Sequence, residues 1–246
     1  MSEPRRIFMV GTDTGVGKTT VTCALLGSAA RAGLIAIPCK PAESGPEGPT
    51  SDRARLLAAS RLSPRELEDL SPLRWPTAIA PGMADDPRPF LGQGVSKSDP
   101  DAMLGRARWA LARLEQRHSA QLSLIEGAGG LLVPMPGGTW EPDWITGLRA
   151  QPLIVARHGL GTINHTLLTI EALRIRDLEP IGVIYTQTLK RNDISREDNP
   201  AVVEQRSGVP TLGLLPFLGR PPELPSDDAW LVEGFWSRVM TRAPTI

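Results

Sequence analysis

The stretch Gly11-Thr12-Asp13-Thr14-Gly15-Val16-Gly17-Lys18-Thr19 decides the fold of this 246-residue chain. An apolar run precedes it at residues 7–10, and a segment with apolar residues at helical spacing follows it at residues 18–32. Backbone N–H groups of such a loop converge on phosphate oxygens, and the helix N-terminus adds the positive end of its dipole. Strand, loop and helix in this order predict a phosphate-binding loop.

Two side chains of this loop carry specific chemistry. Lys18 can reach the terminal phosphates of a nucleotide, and Thr19 can place its hydroxyl on Mg²⁺. The spacing is unusual, because five residues separate Gly11 from Gly17 where the common motif has four. We therefore expect a magnesium nucleotide as ligand and a variant form of the loop.

Wholly apolar runs alternate with amphipathic segments along the rest of the chain, which predicts a mostly parallel β-sheet with helices on both faces. The fold class is α/β, a single-domain P-loop fold over residues 1–246. Residues 61–100, rich in proline and charge, are expected to form irregular surface structure with little core of their own. Further strands are predicted at 34–39, 122–125, 152–156, 181–185 and 211–215, and further helices at 52–60, 101–116, 164–176, 201–207 and 227–242.

The composition excludes several classes of partner. Lysine plus arginine (27) equals aspartate plus glutamate (27), so a nucleic-acid or anionic-membrane partner has no electrostatic basis. Cys23 and Cys39 fit neither a zinc site nor a disulfide framework and are expected to be reduced and buried. The chain shows no secretory or membrane-spanning segment, so we expect a cytoplasmic location.

Two acidic residues stand where magnesium ligands are needed. Glu126 ends a buried strand ahead of a glycine run, at the sheet edge where α/β proteins bind ligands. Asp52 follows the second strand, and a helix N-cap is an equally good interpretation of it. With Thr19, these carboxylates would supply oxygen ligands.

A second cationic cluster follows the second strand. Lys40 should emerge at the same edge as the phosphate loop, with Ser44 four residues later, although a surface lysine remains an alternative. A second cation beside Lys18 suits a reaction that gathers anions on one face. The three histidines are scattered, without a cysteine or acid at ligand spacing.

Taken together, the motifs resemble those of dethiobiotin synthetases. The phosphate loop, Lys-Pro-x-x-Ser-Gly at residues 40–45 and Glu-Gly-Ala-Gly-Gly-Leu-Leu-Val-Pro at residues 126–134 occur in that family's order. Residues 143–144, 159–165, 199–200 and 212–216 are similar as well, so the resemblance covers roughly residues 6–218. It implies ATP, Mg²⁺, CO₂ and 7,8-diaminononanoate as ligands, and a homodimer as the assembly.

The resemblance also implies residue roles. Lys18, Lys40 and Thr14 would be catalytic, and Thr19, Asp52 and Glu126 would hold the metal. Nucleotide binding would use Asp13, Thr14, Gly15, Val16, Gly17, Lys18, Thr19, Thr20, Glu126, Thr186 and Pro216. Substrate binding would use Ser44, Gly127, Ala128, Gly129, Thr162, Ile163 and Asn164, the last three across a dimer interface.

Two positions depart from the family pattern. Thr186 stands where an adenine-reading asparagine is common, and a hydroxyl offers fewer hydrogen bonds than an amide. The nucleotide is therefore ATP or another triphosphate, with Gln187 as a substitute reader. Pro81-Gly82 replaces a Pro-His in the middle segment. Another ligase of the same superfamily, or a non-catalytic nucleotide switch, remains the alternative function.

Overall fold

The apolar strands form one six-stranded sheet in the computed structural model, which describes residues 3–190, 197–219 and 222–241. These strands are β1 (Arg5–Gly11), β2 (Ala36–Cys39), β5 (Leu122–Glu126), β8 (Gln151–Arg157), β9 (Val183–Thr186) and β10 (Thr211–Leu215). Their order is β10-β9-β8-β1-β5-β2, and every pairing is parallel. The prediction of a parallel α/β sheet is confirmed.

Successive side chains of a strand point to opposite faces of the sheet. Because these strands are apolar along most of their length, both faces of the sheet are apolar. Ile7 and Met9 of β1 pack in one core cluster with α1 (Lys18–Arg31) and α9 (Phe235–Thr241). Phe8 and Val10 point the other way, into a cluster with the remaining long helices. Those helices are α2 (Asp52–Ala59), α5 (Pro100–His118), α7 (Thr162–Arg174) and α8 (Asn199–Ser207).

The expectation of irregular surface structure for residues 61–100 needs correction, because the segment forms short elements and three of its leucines join the main core. It contains 3₁₀ turns at Pro64–Glu66 and Arg88–Leu91, and α3 (Leu67–Leu70), β4 (Leu73–Trp75) and α4 (Pro81–Asp85). β4 pairs in parallel with β3 (Ala42–Ser44). Leu62, Leu70 and Leu73 are buried in the cluster that includes Phe8. Elements this short bring one or two leucines each, so no periodic pattern marks them in the sequence.

The predicted helix over residues 227–242 is also too long. Within the described part, α9 begins only at Phe235, and Arg242 lies outside the described residues. Leu231 instead forms a bridge with Gly213, so the chain here extends the edge of the sheet beyond β10. Gly234 has a φ of 69°, a left-handed conformation that interrupts a helix.

The carboxyl edge of the sheet is where the functional loops meet. β1 leads into α1, β5 leads into a glycine-rich turn, and β9 and β10 end beside each other. A small hairpin, β6 (Pro134–Met135) and β7 (Thr139–Trp140), then leads into α6 (Glu141–Gly147). No helix in the described ranges is long and apolar enough to cross a membrane.

Candidate active site

The phosphate loop has the backbone that its glycines predict. Gly15 and Gly17 have φ angles of 74° and 99°, which only glycine adopts without strain, and Gly17 is the N-cap of α1. At Gly11, a Cβ atom would lie 2.5 Å from the Gly129 carbonyl oxygen and 2.7 Å from Lys18 Nζ. The lysine and the glycine-rich turn after β5 therefore fit closely against the loop.

Lys18 is buried at the base of this loop. Its ammonium donates a hydrogen bond to the carbonyl of Gly129, on the turn that follows β5. Burial lowers the pKa of Lys18, and the positive charge of Lys40 lowers it further. An anion at this position would offset both effects, as expected of a phosphate-binding lysine.

Lys40 emerges at the same edge and contacts the same turn. Its Nζ atom lies 2.8 Å from Glu126 Oε1, 3.0 Å from Asp52 Oδ2 and 3.0 Å from the Gly127 carbonyl oxygen. Burial alone would lower the pKa of Lys40, but Glu126 and Asp52 raise it overall. Lys40 is 3% exposed, so the surface-lysine alternative is wrong.

Three oxygen-bearing side chains converge beside Lys40. Thr19 Oγ1 lies 2.7 Å from Asp52 Oδ1 and 2.9 Å from Glu126 Oε1. Glu126 is fully buried, which raises its pKa, and its Oε2 atom has no hydrogen-bond partner among the described residues. A hydroxyl with two carboxylates is a donor set that suits Mg²⁺, which also takes phosphate oxygens and water. The residues present therefore fit a magnesium nucleotide.

The alternative role of Asp52 as a helix cap is excluded by the position of Ser51. Ser51 is the N-cap of α2, and its hydroxyl accepts a hydrogen bond from the Ala54 amide. Asp52 is the first helical residue, so its carboxylate is available to the cluster. The positive charge of Lys40 and the Thr19 hydroxyl lower the pKa of Asp52, more than burial raises it.

A cavity of about 460 Å³ opens above these side chains. One wall is the phosphate loop with Lys40 and the magnesium cluster, and the opposite wall is formed by residues that follow β9 and β10. Among the predicted residues it is lined by Thr14, Gly15, Gly17, Lys18, Thr19, Thr20, Lys40, Asp52, Glu126, Gly129, Thr186 and Pro216. Asp13 and Val16 belong to the same loop.

Thr186 lies at the far wall of this cavity but is tied to the phosphate loop. Its hydroxyl donates a hydrogen bond to the Val16 carbonyl, and a Cβ at Gly17 would approach its Oγ1 atom to 3.2 Å. The hydroxyl hydrogen is thus used within the protein. Gln187 also lines the cavity and carries the side-chain amide among its described lining residues.

Some predicted substrate residues lie away from this cavity. Ser44 is the last residue of β3, and its hydroxyl donates a hydrogen bond to the Ile79 carbonyl. Thr162 is buried at the start of α7, where its Oγ1 atom lies 3.4 Å from Thr166 Oγ1. Ile163 and Asn164 follow on the same turn, and Asn164 is exposed. The structure of one chain does not bring these four residues to the lysines.

Two polar residues of the site have no counterpart among the sequence predictions. Arg55 lines the cavity, and its guanidinium donates a 2.9 Å hydrogen bond to Thr20 Oγ1. Glu141 lies behind the turn at Gly127 and Ala128, with no exposed surface. Helical spacing from Asp52 could have pointed to Arg55, but nothing in the sequence marks Glu141, which follows a tryptophan in a loop-like stretch.

A loop that cradles phosphate, two buried lysines and an oxygen cluster define this chain as a P-loop nucleotide-binding protein. A family model described as an AAA domain matches residues 5–220. The solved structure of FtsY from Mycoplasma mycoides superposes with a TM-score of 0.53 at 13% identity, covering 97% of this chain and 67% of FtsY. That similarity supports the fold alone.

The comparisons by sequence are closer. This chain is 42% identical over 212 residues to an ATP-dependent dethiobiotin synthetase from Anaeromyxobacter sp. (strain Fw109-5), covering 86% of this chain and 89% of the relative. It is 34% identical over 219 residues to the corresponding enzyme of Bacillus velezensis, covering 87% of each. The chain belongs to the ATP-dependent dethiobiotin synthetase family, whose members are ligases of biotin biosynthesis.

Proposed function

We propose that this chain closes the ureido ring of dethiobiotin from 7,8-diaminononanoate and CO₂, with hydrolysis of ATP. The observation that carries the proposal is the placement of Lys18 and Lys40. Both ammonium groups are buried, and both contact the turn at residues 127–129, beside the Thr19, Asp52 and Glu126 cluster. Such a site concentrates positive charge where a triphosphate and a second anion must meet.

The residues support each charge that develops in this reaction. An amine adds to CO₂ and loses a proton to give a carbamate. The carbamate attacks the terminal phosphate and displaces the nucleoside diphosphate, which gives a carbamic–phosphoric anhydride. The second amine then attacks the carbonyl carbon of this anhydride, loses a proton, closes the ring and expels phosphate. Lys18, at the phosphate loop, faces the transferred phosphoryl group. Lys40 faces the carbamate from the other side. Thr14 of the loop lies against the turn, since a Cβ at Gly129 would lie 3.2 Å from its Oγ1 atom. Positioning and fixed charge, rather than a strong base, supply the catalysis.

Magnesium would be held by Thr19, Asp52 and Glu126. When bound, it would neutralise charge on the phosphates. The chain's own contribution is the buried Glu126 carboxylate, whose Oε1 atom accepts hydrogen bonds from Lys40 and Thr19. The Asp52 side chain is 39% exposed and completes the set from the solvent side.

The nucleotide would be ATP or another triphosphate. Gly15, Val16 and Gly17 would present backbone N–H groups to the phosphates, and Thr20 and Pro216 would border the sugar and base. Since Thr186 donates its hydroxyl hydrogen to Val16, the base is read by Gln187 and the backbone after β10.

The distant part of the substrate requires a second subunit in this proposal. A second cavity, about 320 Å³, lies next to Thr12 and Asp13 and includes Leu132 and Leu168, which are 52% and 55% exposed. A homodimer would cover these leucines. It would also bring Thr162, Ile163 and Asn164 of one subunit toward the substrate of the other, while the backbone of Gly127, Ala128 and Gly129 binds the near end. One domain over residues 1–246 and a cytoplasmic location stay predictions.

The decisive experiment follows phosphate release. Purified protein with Mg-ATP, bicarbonate and 7,8-diaminononanoate should release phosphate only when the diamine is present, and mass spectrometry should detect the cyclised product. Lys18→Gln and Lys40→Gln should each lose at least about a hundredfold in turnover, in the range for removing one charge-stabilising group. Lys97→Gln, at an exposed lysine, is the matched control and should keep full turnover. Phosphate release that ignores the diamine, with each of the four common triphosphates, would favour a nucleotide switch or a different ligase.

A further inference from the structure

Glu141 is a buried carboxyl group that the proposed mechanism does not use. It is the first residue of α6 and has 0% exposure. Its Oε2 atom accepts a 2.7 Å hydrogen bond from the Ala128 backbone N–H, while its Oε1 atom has no hydrogen-bond partner among the described residues. Burying a carboxyl group with one oxygen unsatisfied costs free energy, so this arrangement requires an explanation.

The carboxyl group lies directly against the turn that follows β5. A Cβ atom at Gly127 would lie 2.4 Å from Glu141 Oε2 and 2.6 Å from both Cδ and Oε1. The side chain therefore occupies the place where any other residue at position 127 would put its first carbon. The Glu141 carboxyl group thus packs against the back of the glycine turn, on the side away from the cavity.

The front of the same turn is held by the two lysines. Lys40 donates to the Gly127 carbonyl at 3.0 Å, and Lys18 donates to the Gly129 carbonyl. Each ammonium group has three N–H donors. Lys40 already gives its donors to Glu126, Asp52 and the Gly127 carbonyl, so an anion that binds Lys40 competes with the turn. Ala128, between these two carbonyls, is held through its N–H by Glu141 alone.

We propose that Glu141 is a positioning residue, which fixes residues 127–129 through the Ala128 amide while Lys18 and Lys40 bind ligand anions. This inference rests on the proposed function for the roles of the lysines. Burial raises the pKa of Glu141 to about 8, more than Lys18, the Ala128 amide and Lys40 lower it. A neutral acceptor is thus sufficient, and glutamine should replace it.

Hydrogen exchange tests the proposal directly, because the Ala128 amide is the donor of the bond in question. In Glu141→Leu, exchange of the peptide spanning residues 126–131 should speed up by about tenfold or more, the factor that corresponds to 1.4 kcal/mol. Glu141→Gln retains an acceptor oxygen and should exchange like the wild type. Gly127→Ala displaces the same carboxyl group without altering Glu141 and should also speed exchange, so the test does not depend on one variant folding.

Glu115→Leu is the matched control for general loss of a buried carboxylate. Glu115 is 7% exposed and bonds Arg6 and Ser123 near the opposite end of the same sheet. Its replacement should speed exchange near Ser123 and leave residues 126–131 unchanged. If Glu141→Leu and Gly127→Ala both leave the exchange of residues 126–131 at the wild-type rate, or if Glu115→Leu raises it equally, the proposal is wrong.

Kinetics separates this inference from the proposed function. A loosened turn in Glu141→Leu should raise the KM for Mg-ATP and lower kcat by about tenfold each, and Glu141→Gln should restore both constants. If Glu141 had a purely structural role, Glu141→Leu would lower the melting temperature and leave both constants near wild type. Wild-type protein without diamine-dependent phosphate release, but with the expected exchange pattern, would overturn the function and leave the positioning role standing. Normal turnover with unaltered exchange would overturn the positioning role alone.

Discussion

Replacing Lys40 by methionine should destabilise the ligand-free protein, even though the change removes one of two mutually repelling cations. Methionine retains most of the apolar stem, so the packing changes little. The loss is electrostatic: Glu126, with a side chain that is 0% exposed, would keep its carboxylate but lose the cation 2.8 Å away.

The expected magnitude follows from which partner is buried. Breaking a buried ion pair by removing one member costs about 3–5 kcal/mol, because the remaining charge is uncompensated. The pair with Asp52 adds little, since that carboxylate is 39% exposed and screened by water. Relief of the repulsion with Lys18 subtracts from the total. We therefore expect a loss of about 3 kcal/mol, or about 6–12 °C in Tm for a chain of this size.

The assay is denaturant unfolding of Lys40→Met, Glu126→Gln and the double variant at several pH values. Without Lys40, the folded pKa of Glu126 rises still further above its unfolded value. A carboxyl group of this kind stabilises below its unfolded pKa and loses that contribution as pH rises, so the deficit of Lys40→Met should grow as pH rises above about 4.5. The double variant should recover about 2 kcal/mol. Wild-type stability in Lys40→Met, or no recovery in the double variant, would refute this account of the cluster.

The remaining predictions concern three other parts of the site. Burial raises the pKa of Glu141 to about 8, so wild-type stability should fall as pH rises toward 8. In calorimetry, Glu141→Gln should remove up to about 1.4 kcal/mol per pH unit of that slope. An unaltered slope would contradict this role of Glu141. Thr186→Val leaves the Val16 carbonyl without its donor and should lower the free energy of unfolding by about 1 kcal/mol. It should also weaken the binding of all four triphosphates alike in calorimetric titration. A loss of affinity confined to ATP would instead make Thr186 the base reader. Leu168→Glu should shift the protein from dimer to monomer in light scattering, and a monomeric wild type would exclude the proposed dimer.

The sequence was sufficient for the parts of the fold that repeat a strong local pattern. Strands of four or more apolar residues, and the phosphate loop with its left-handed glycines, follow from periodicity and motif chemistry. Residues 61–100 could not be predicted in this way, since their buried leucines are single contacts that depend on distant helices. The prediction of one helix over residues 227–242 failed for a similar reason, because the pairing of Leu231 with Gly213 is non-local.

The same distinction applies to the site. Lys18, Lys40, Asp52 and Glu126 could be placed together because each follows or begins a recognisable element at one sheet edge. The direction of Thr186 could not be predicted, because its partner is a backbone carbonyl that exists only in the folded loop. Ser44 failed to reach the cavity in one chain for a related reason, since β3 pairs with β4 and turns its hydroxyl to Ile79.

The arrangement of the two lysines also explains how a site for several anions remains folded when empty. Two buried ammonium groups without partners would cost far more than a domain can bear. Here Lys40 is neutralised by Glu126 and Asp52, and Lys18 rests on the Gly129 carbonyl. The compensation of Lys18 is the weaker of the two, since it bonds a carbonyl dipole and feels Glu141, Glu126 and Asp52 only through space. Burial and the charge of Lys40 therefore lower the pKa of Lys18 overall. Phosphate should therefore gain most from Lys18, so that the lysine least satisfied in the empty site contributes the larger share of nucleotide affinity.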